Sequence, residues 1–163
     1  IKGVTHEGTP EGKWETINGI ECYVGAPSSS EFKFKKDKVL LYLCDAFGPA
    51  LVDWTFSVDD FARNGIKVLH LILTERSFDS LLQERRKNFD LPGWISRHGV
   101  KDIRSIIDKV VDGLKSEGVT EFAAIGYCFG GAGVFNLAFD NVISLSIANH
   151  PSFLKIPEDL EVR

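Results

Sequence analysis

The sequence is poor in cysteine, with Cys22, Cys44 and Cys128 the only three in 163 residues. Their odd number, wide spacing and lack of a C-x-x-C pair exclude a disulfide framework and a zinc site, so no metal and a reducing, cytoplasmic location are expected. No run approaches the roughly 18 consecutive apolar residues of a bilayer span, and Ile1 to Pro10 lack the charged-then-apolar order of a signal peptide. Membrane partners are therefore not expected. An excess of positive charge is missing as well: 19 Lys and Arg against 23 Asp and Glu leave a net charge of −4, which gives no electrostatic reason to approach nucleic acid. The two local basic runs, Lys33-x-Lys35-Lys36-x-Lys38 and Arg85-Arg86-Lys87, read as solvated faces.

What is present is an ordinary globular composition, 44% hydrophobic and 26% charged. A chain of this length removes roughly 70% of its unfolded surface from water on folding, enough for one core without a covalent staple. One domain over residues 1–163 is expected.

Along the chain, Asn18-Gly19 sits between two β-prone runs, and that dipeptide supplies the positive φ angles of a two-residue hairpin turn. Val39 to Cys44 is almost continuously apolar, as a strand covered on both faces must be. From Ala50 to Arg63 the residues Leu51, Trp54, Val58 and Phe61 recur at helical spacing, and Asn64-Gly65 supplies the stop. Trp54, Phe56 and Phe61 read as core rather than as a binding platform. Ile66 to Leu73 predicts a second buried strand, followed by a short helical stretch around Phe78 to Lys87 and a loop holding Pro92 and Trp94. Ile103, Ile106, Ile107, Val110 and Leu114 mark one face of a helix ending near Gly118. Phe122 to Ile125 predicts a strand, Ala132 to Phe139 a helix, and Val142 to Ala148 a last strand. This alternation predicts an α/β fold, a mostly parallel, doubly wound sheet reached by right-handed crossovers.

The most specific feature is Gly126-Tyr127-Cys128-Phe129-Gly130-Gly131, where a buried strand turns into a helix. It has the form of a nucleophile elbow: small neighbours let strand and helix approach closely around a strained residue whose side chain is lifted to the carboxyl edge of the sheet. A helix N-terminus there favours thiolate over thiol and points backbone N–H groups at a nearby oxyanion. Phe129 N–H is one candidate donor, and Ala46 N–H, in the loop after the first buried strand, is the second by chain order. Cys22 and Cys44 read as buried apolar residues.

Together with Asp45-Ala46-Phe47-Gly48 and His150-Pro151-Ser152-Phe153, the elbow hexapeptide resembles the dienelactone hydrolase family, specifically its fungal-type members, from about Thr5 to Glu158. The resemblance implies an α/β-hydrolase-type domain in which Cys128 is the nucleophile, Ala46 and Phe129 form the oxyanion hole and Asp45 contacts the thiol. Tyr127 and His150 become candidates to line the pocket. It also implies cleavage of a small ester or lactone through a thioester, without metal or cofactor. In that family the triad's Asp and His follow two later strands, so the expectation is a domain lacking its C-terminal strands, feeble or inactive by itself. Such a sheet would expose an unpaired edge open to self-association. Two other readings stay open: a flavodoxin-like cysteine-elbow enzyme of the amidotransferase or DJ-1-like groups, which needs His150 or an acid touching the sulfur, and a non-catalytic interaction module.

Overall fold

Val39, Leu41 and Leu43 join one buried apolar cluster while Leu40 and Tyr42, on the alternate positions, join another. A strand with both faces buried has to lie inside a sheet covered on two sides. The computed structural model, which describes residues 8–26, 35–45, 52–73, 93, 96 and 99–161, has that architecture. Its strands are β1 (Lys13–Ile17), β2 (Ile20–Gly25), β3 (Lys38–Leu43), β4 (Lys67–Leu71), β5 (Glu121–Tyr127) and β6 (Leu145–Asn149), and its helices are α1 (Val52–Arg63), α2 (Val100–Ser116) and α3 (Phe129–Phe139). Glu158–Leu160 forms a short 3-10 turn.

The six strands make one sheet in the order β1-β2-β4-β3-β5-β6. β3, β4, β5 and β6 run parallel, whereas β1 and β2 form an antiparallel hairpin that joins β4 antiparallel. The hairpin closes at Ile17↔Ile20 through Asn18 (φ 46°) and Gly19 (φ 82°), the two positive angles that Asn-Gly was expected to supply. Ile103, Ile107, Val110 and Leu114 of α2 and Val134 and Leu137 of α3 cover one face of the sheet. Val58 and Ala62 of α1 cover the other. The doubly wound α/β arrangement is therefore present. Among the described residues no helix is long and apolar enough to cross a membrane. Lys35 and Lys36 are exposed, and Lys38 pairs with Glu121.

Several boundaries differ from the sequence expectation. α3 starts at Phe129 rather than Ala132, although glycine disfavours a helix interior by up to about 1 kcal/mol relative to alanine. Packing overrides that preference here, because Gly130, Gly131 and Gly133 are all buried. β6 starts at Leu145 rather than Val142, because the preceding apolar residues close α3 instead. Asn141 takes φ 54°, its N–H donates to Ala138 O, and Val142 N–H donates to Leu137 O, the paired bonds of a left-handed helix cap. Val142 and Ile143 then pack against the core. β4 is shorter than the run Ile66 to Leu73, yet Leu73 is still buried. The helical stretch expected around Phe78 to Lys87 and the loop at Pro92 and Trp94 lie outside the described residues, as do Ala50 and Leu51.

On α1 the buried stripe includes Thr55 and Asp59 beside Val58 and Ala62. Asp59 is 3% exposed and accepts hydrogen bonds from Glu11 N–H (2.8 Å), Gly12 N–H (3.1 Å) and the Tyr23 hydroxyl (3.0 Å). A buried carboxylate survives only when its lone pairs are occupied in this way. Asp59 thereby pins the segment before β1 onto α1.

Candidate active site

Cys128 is the single residue between the end of β5 and the start of α3, with φ 49° and ψ −108°. A non-glycine side chain held there stores roughly 1–3 kcal/mol of backbone strain, so the surroundings must over-determine the bend. They do so by close approach. A Cβ on Gly126 would stand 2.5 Å from Gly130 O, one on Gly130 2.6 Å from Cys44 O, and one on Gly131 2.6 Å from Pro151 Cβ. The three glycines of the hexapeptide thus let β5, β3 and the segment after β6 crowd against the first turn of α3.

The parallel register pairs Tyr127 with Asn149, which brings residues 150–153 alongside 128–131. Both backbone groups of Cys128 are then taken by the end of β6 and the segment after it: its N–H donates to Asn149 O (3.0 Å), and its carbonyl accepts from Ser152 N–H (3.0 Å) as well as from Gly131 N–H (3.1 Å). Phe153 meets Phe129 edge-on at 5.6 Å between ring centroids. His150 and Phe153 both adopt positive φ, 37° and 62°, and so bend the segment around the elbow.

Cys128 is half-buried, whereas Cys22 and Cys44 are fully buried. Burial pushes the thiols of Cys22 and Cys44 up to about 12, with smaller contributions from Glu15 and Glu21 at Cys22 and from Asp45 at Cys44. Of the three sulfurs, only that of Cys128 is open to solvent chemistry. Its hydrogen-bond neighbour is Ser152 Oγ at 3.7 Å. His150 is exposed, and its ring contacts that of Tyr127 at 6.2 Å; among the described residues it makes no hydrogen bond to the sulfur.

Beneath the bend lies an aromatic layer. Tyr127 packs against Tyr42 (5.4 Å) and Trp54 (5.2 Å), and Tyr42 in turn touches Trp54 (5.7 Å), Phe61 (6.3 Å) and His70 (5.5 Å). Trp54 and Phe61 belong to this core layer as their helical spacing suggested. Burial drives the Tyr42 hydroxyl well above the usual tyrosine range, with Tyr127 beside it adding to the effect. His70 is completely buried, neither ring nitrogen has a hydrogen-bond partner among the described residues, and burial lowers its imidazole to about 4.

The residues singled out in the sequence are thus partly assembled. Cys128, Phe129, Tyr127 and His150 surround the bend. Asp45 follows Cys44 and is half-buried at the β3 end that Gly130 approaches. Ala46 lies outside the described residues. Ser152 was not singled out as a site residue in the sequence; the cue was its place just after the last predicted strand, which the structure pairs with the elbow strand.

Residues 20–162 match the family model of the dienelactone hydrolase family. The chain belongs to that family. Hydrolase pyvD of Aspergillus violaceofuscus is 26% identical over 162 residues, covering 99% of this chain and 63% of its own length. Dienlactone hydrolase 1 of Gibberella moniliformis is 29% identical over 164 residues, covering 94% of this chain and 60% of its own. The chain therefore spans about three-fifths of the length of these curated relatives. Among solved structures, an α/β serine hydrolase without lid from Xanthomonas campestris superposes with TM-score 0.61 at 12% identity, over 94% of this chain and 68% of that one, a likeness of fold. As a dienelactone hydrolase family chain, it carries its elbow cysteine where the parallel strands end, with its backbone held by the strand next door.

Proposed function

We propose that this chain is a carboxyl ester or lactone hydrolase that acts through a thioester on Cys128, within one α/β-hydrolase-type domain. The observation that carries the reading is the half-buried sulfur on a strained residue at the exact junction of β5 and α3. In the reaction the thiolate adds to the substrate carbonyl, and the tetrahedral oxyanion collapses to a thioester with release of the alcohol, which takes a proton. Water then cleaves the thioester to the acid and restores the thiol.

Phe129 N–H, in the first turn of α3, and Ala46 N–H are the proposed oxyanion donors, each worth about 3 kcal/mol in the transition state. Asp45 is proposed to contact the thiol, and Tyr127 and His150 to line the pocket for a small ester or lactone. A base must take the thiol proton, and among the described residues the sulfur's hydrogen-bond partner is Ser152 Oγ rather than His150. Residues 1–163 alone are therefore proposed to turn over slowly, near the residual ~10³-fold over water that an oxyanion hole and binding supply without a triad. Three free cysteines fit a reducing, cytoplasmic setting. Self-association is proposed through β6, at the sheet edge among the described residues, where Leu145 and Ile147 are exposed.

The test uses p-nitrophenyl acetate with the chain and with Cys128→Ala. A first-turnover release of p-nitrophenol, together with an acetyl group added to the intact mass, is expected from the parent and absent from the variant. Equal release from both, with no acetylated protein, rejects a cysteine-dependent hydrolase.

A further inference from the structure

We infer that Ser152 is a further member of the catalytic machinery, a hydroxyl that holds the Cys128 sulfur and stabilises it as thiolate; this rests on the nucleophile reading above. Three observations converge on it. Ser152 Oγ lies 3.7 Å from Cys128 Sγ, within reach of a sulfur hydrogen bond. The sulfur is also the one hydrogen-bond partner that the hydroxyl has among the described residues. And the position is imposed from outside the side chain: Ser152 N–H donates to the carbonyl of Cys128 itself, and Pro151 is wedged against Gly131, so residue 152 is fixed relative to the sulfur by backbone and by packing.

In the resting thiol the contact can run in either direction, S–H to Oγ or O–H to Sγ. Once the thiol proton has gone, only the second remains, and the hydroxyl donates to the anionic sulfur. Hydrogen bonds to an ionised partner are about twice as strong as neutral ones, so the interaction favours the attacking form over the resting form. It also restrains the side chain toward one direction, which fits a nucleophile that must meet a carbonyl held by backbone donors.

Alkylation of Cys128 by iodoacetamide tests this without relying on ester turnover, because Cys22 and Cys44 are buried and silent in the folded chain. The parent chain, Ser152→Thr, Ser152→Val and Ser152→Ala are alkylated near neutral pH and followed by intact mass, with Cys128→Ala as background. Threonine keeps the hydroxyl and valine replaces it with a methyl of the same shape. Threonine should react within about threefold of the parent, while valine and alanine should be slowed about tenfold, the worth of one modest charge-assisted hydrogen bond. Alkylation of the folded valine or alanine variant at the parent's rate overturns the inference. Unfolding reveals itself as three adducts instead of one, and the alanine variant, which adds no volume, then decides. A chain whose ester hydrolysis is unchanged by Cys128→Ala, yet whose alkylation is slowed by Ser152→Val, would reject the hydrolase reading and keep the contact.

Discussion

His70 offers a quantitative test of the packing under the elbow. It sits in β4 with its ring against Tyr42, completely buried and with both nitrogens unpaired among the described residues. Burial holds its imidazole at about 4 against an ordinary value of 6.5. An unfolded chain therefore binds a proton at this residue below pH 6.5 while the folded chain does not, so stability falls as pH drops through that interval and levels off below about 4. Each pH unit in the interval costs about 1.4 kcal/mol, and the accumulated penalty is about 3 kcal/mol, a large share of the 5–15 kcal/mol typical of a domain. Replacing His70 with leucine removes the titrating group and keeps a buried apolar side chain. Urea unfolding of the parent and of His70→Leu should be compared from pH 7.5 down to pH 4.5, so that all other titrations cancel in the difference. Relative to the variant, the parent should lose about 2–3 kcal/mol across that range. A difference that stays flat with pH would show that His70 is hydrated or paired, and the reasoning would fail.

Three other perturbations address the site and its frame. Cys128→Gly should be more stable to urea than Cys128→Ala by about 1 kcal/mol or more, because only glycine accepts φ 49° without strain; equal midpoints would remove the strained bend. Asp59→Ala leaves Glu11 N–H and the Tyr23 hydroxyl without their acceptor, while Gly12 N–H keeps the Tyr23 oxygen, and should cost about 3 kcal/mol, with hydrogen exchange rising first in β1 and β2. Ile147→Lys places a charge on the exposed edge strand and should suppress the concentration-dependent association expected of the parent in light scattering; a parent that stays monomeric at high concentration contradicts the self-association proposal.

Where local chemistry decides the backbone, the sequence was readable. Asn18-Gly19 admits the angles of a tight hairpin turn, the apolar run around Val39 to Leu43 suits a strand buried on both faces, and the glycines around Cys128 suit a sharp strand-to-helix bend. The α3 boundary was misplaced because Gly130 and Gly131 disfavour helix in isolation, and their reason for being helical lies in β3 and in Pro151, distant along the chain. The same holds for Val142, whose apolar character served a helix cap and not a strand. Burial of Asp59 depends on the Glu11 to Gly12 segment folding across α1, and the position of Ser152 depends on the β5–β6 register. Neither is a property of neighbouring residues, so periodicity could not disclose them.

The tethering of the Cys128 peptide also bears on whether this bend can be moved elsewhere. One anchor comes from Asn149 and the other from Ser152, on a stretch some twenty residues downstream of the hexapeptide. Grafting Gly126 to Gly131 alone into a foreign sheet would import the glycines without the two moorings that hold the cysteine in its contorted shape. A one-residue insertion between Asn149 and Ser152 would displace the second mooring in the native sheet and keep the first, which the β5–β6 register holds, while leaving the hexapeptide unaltered.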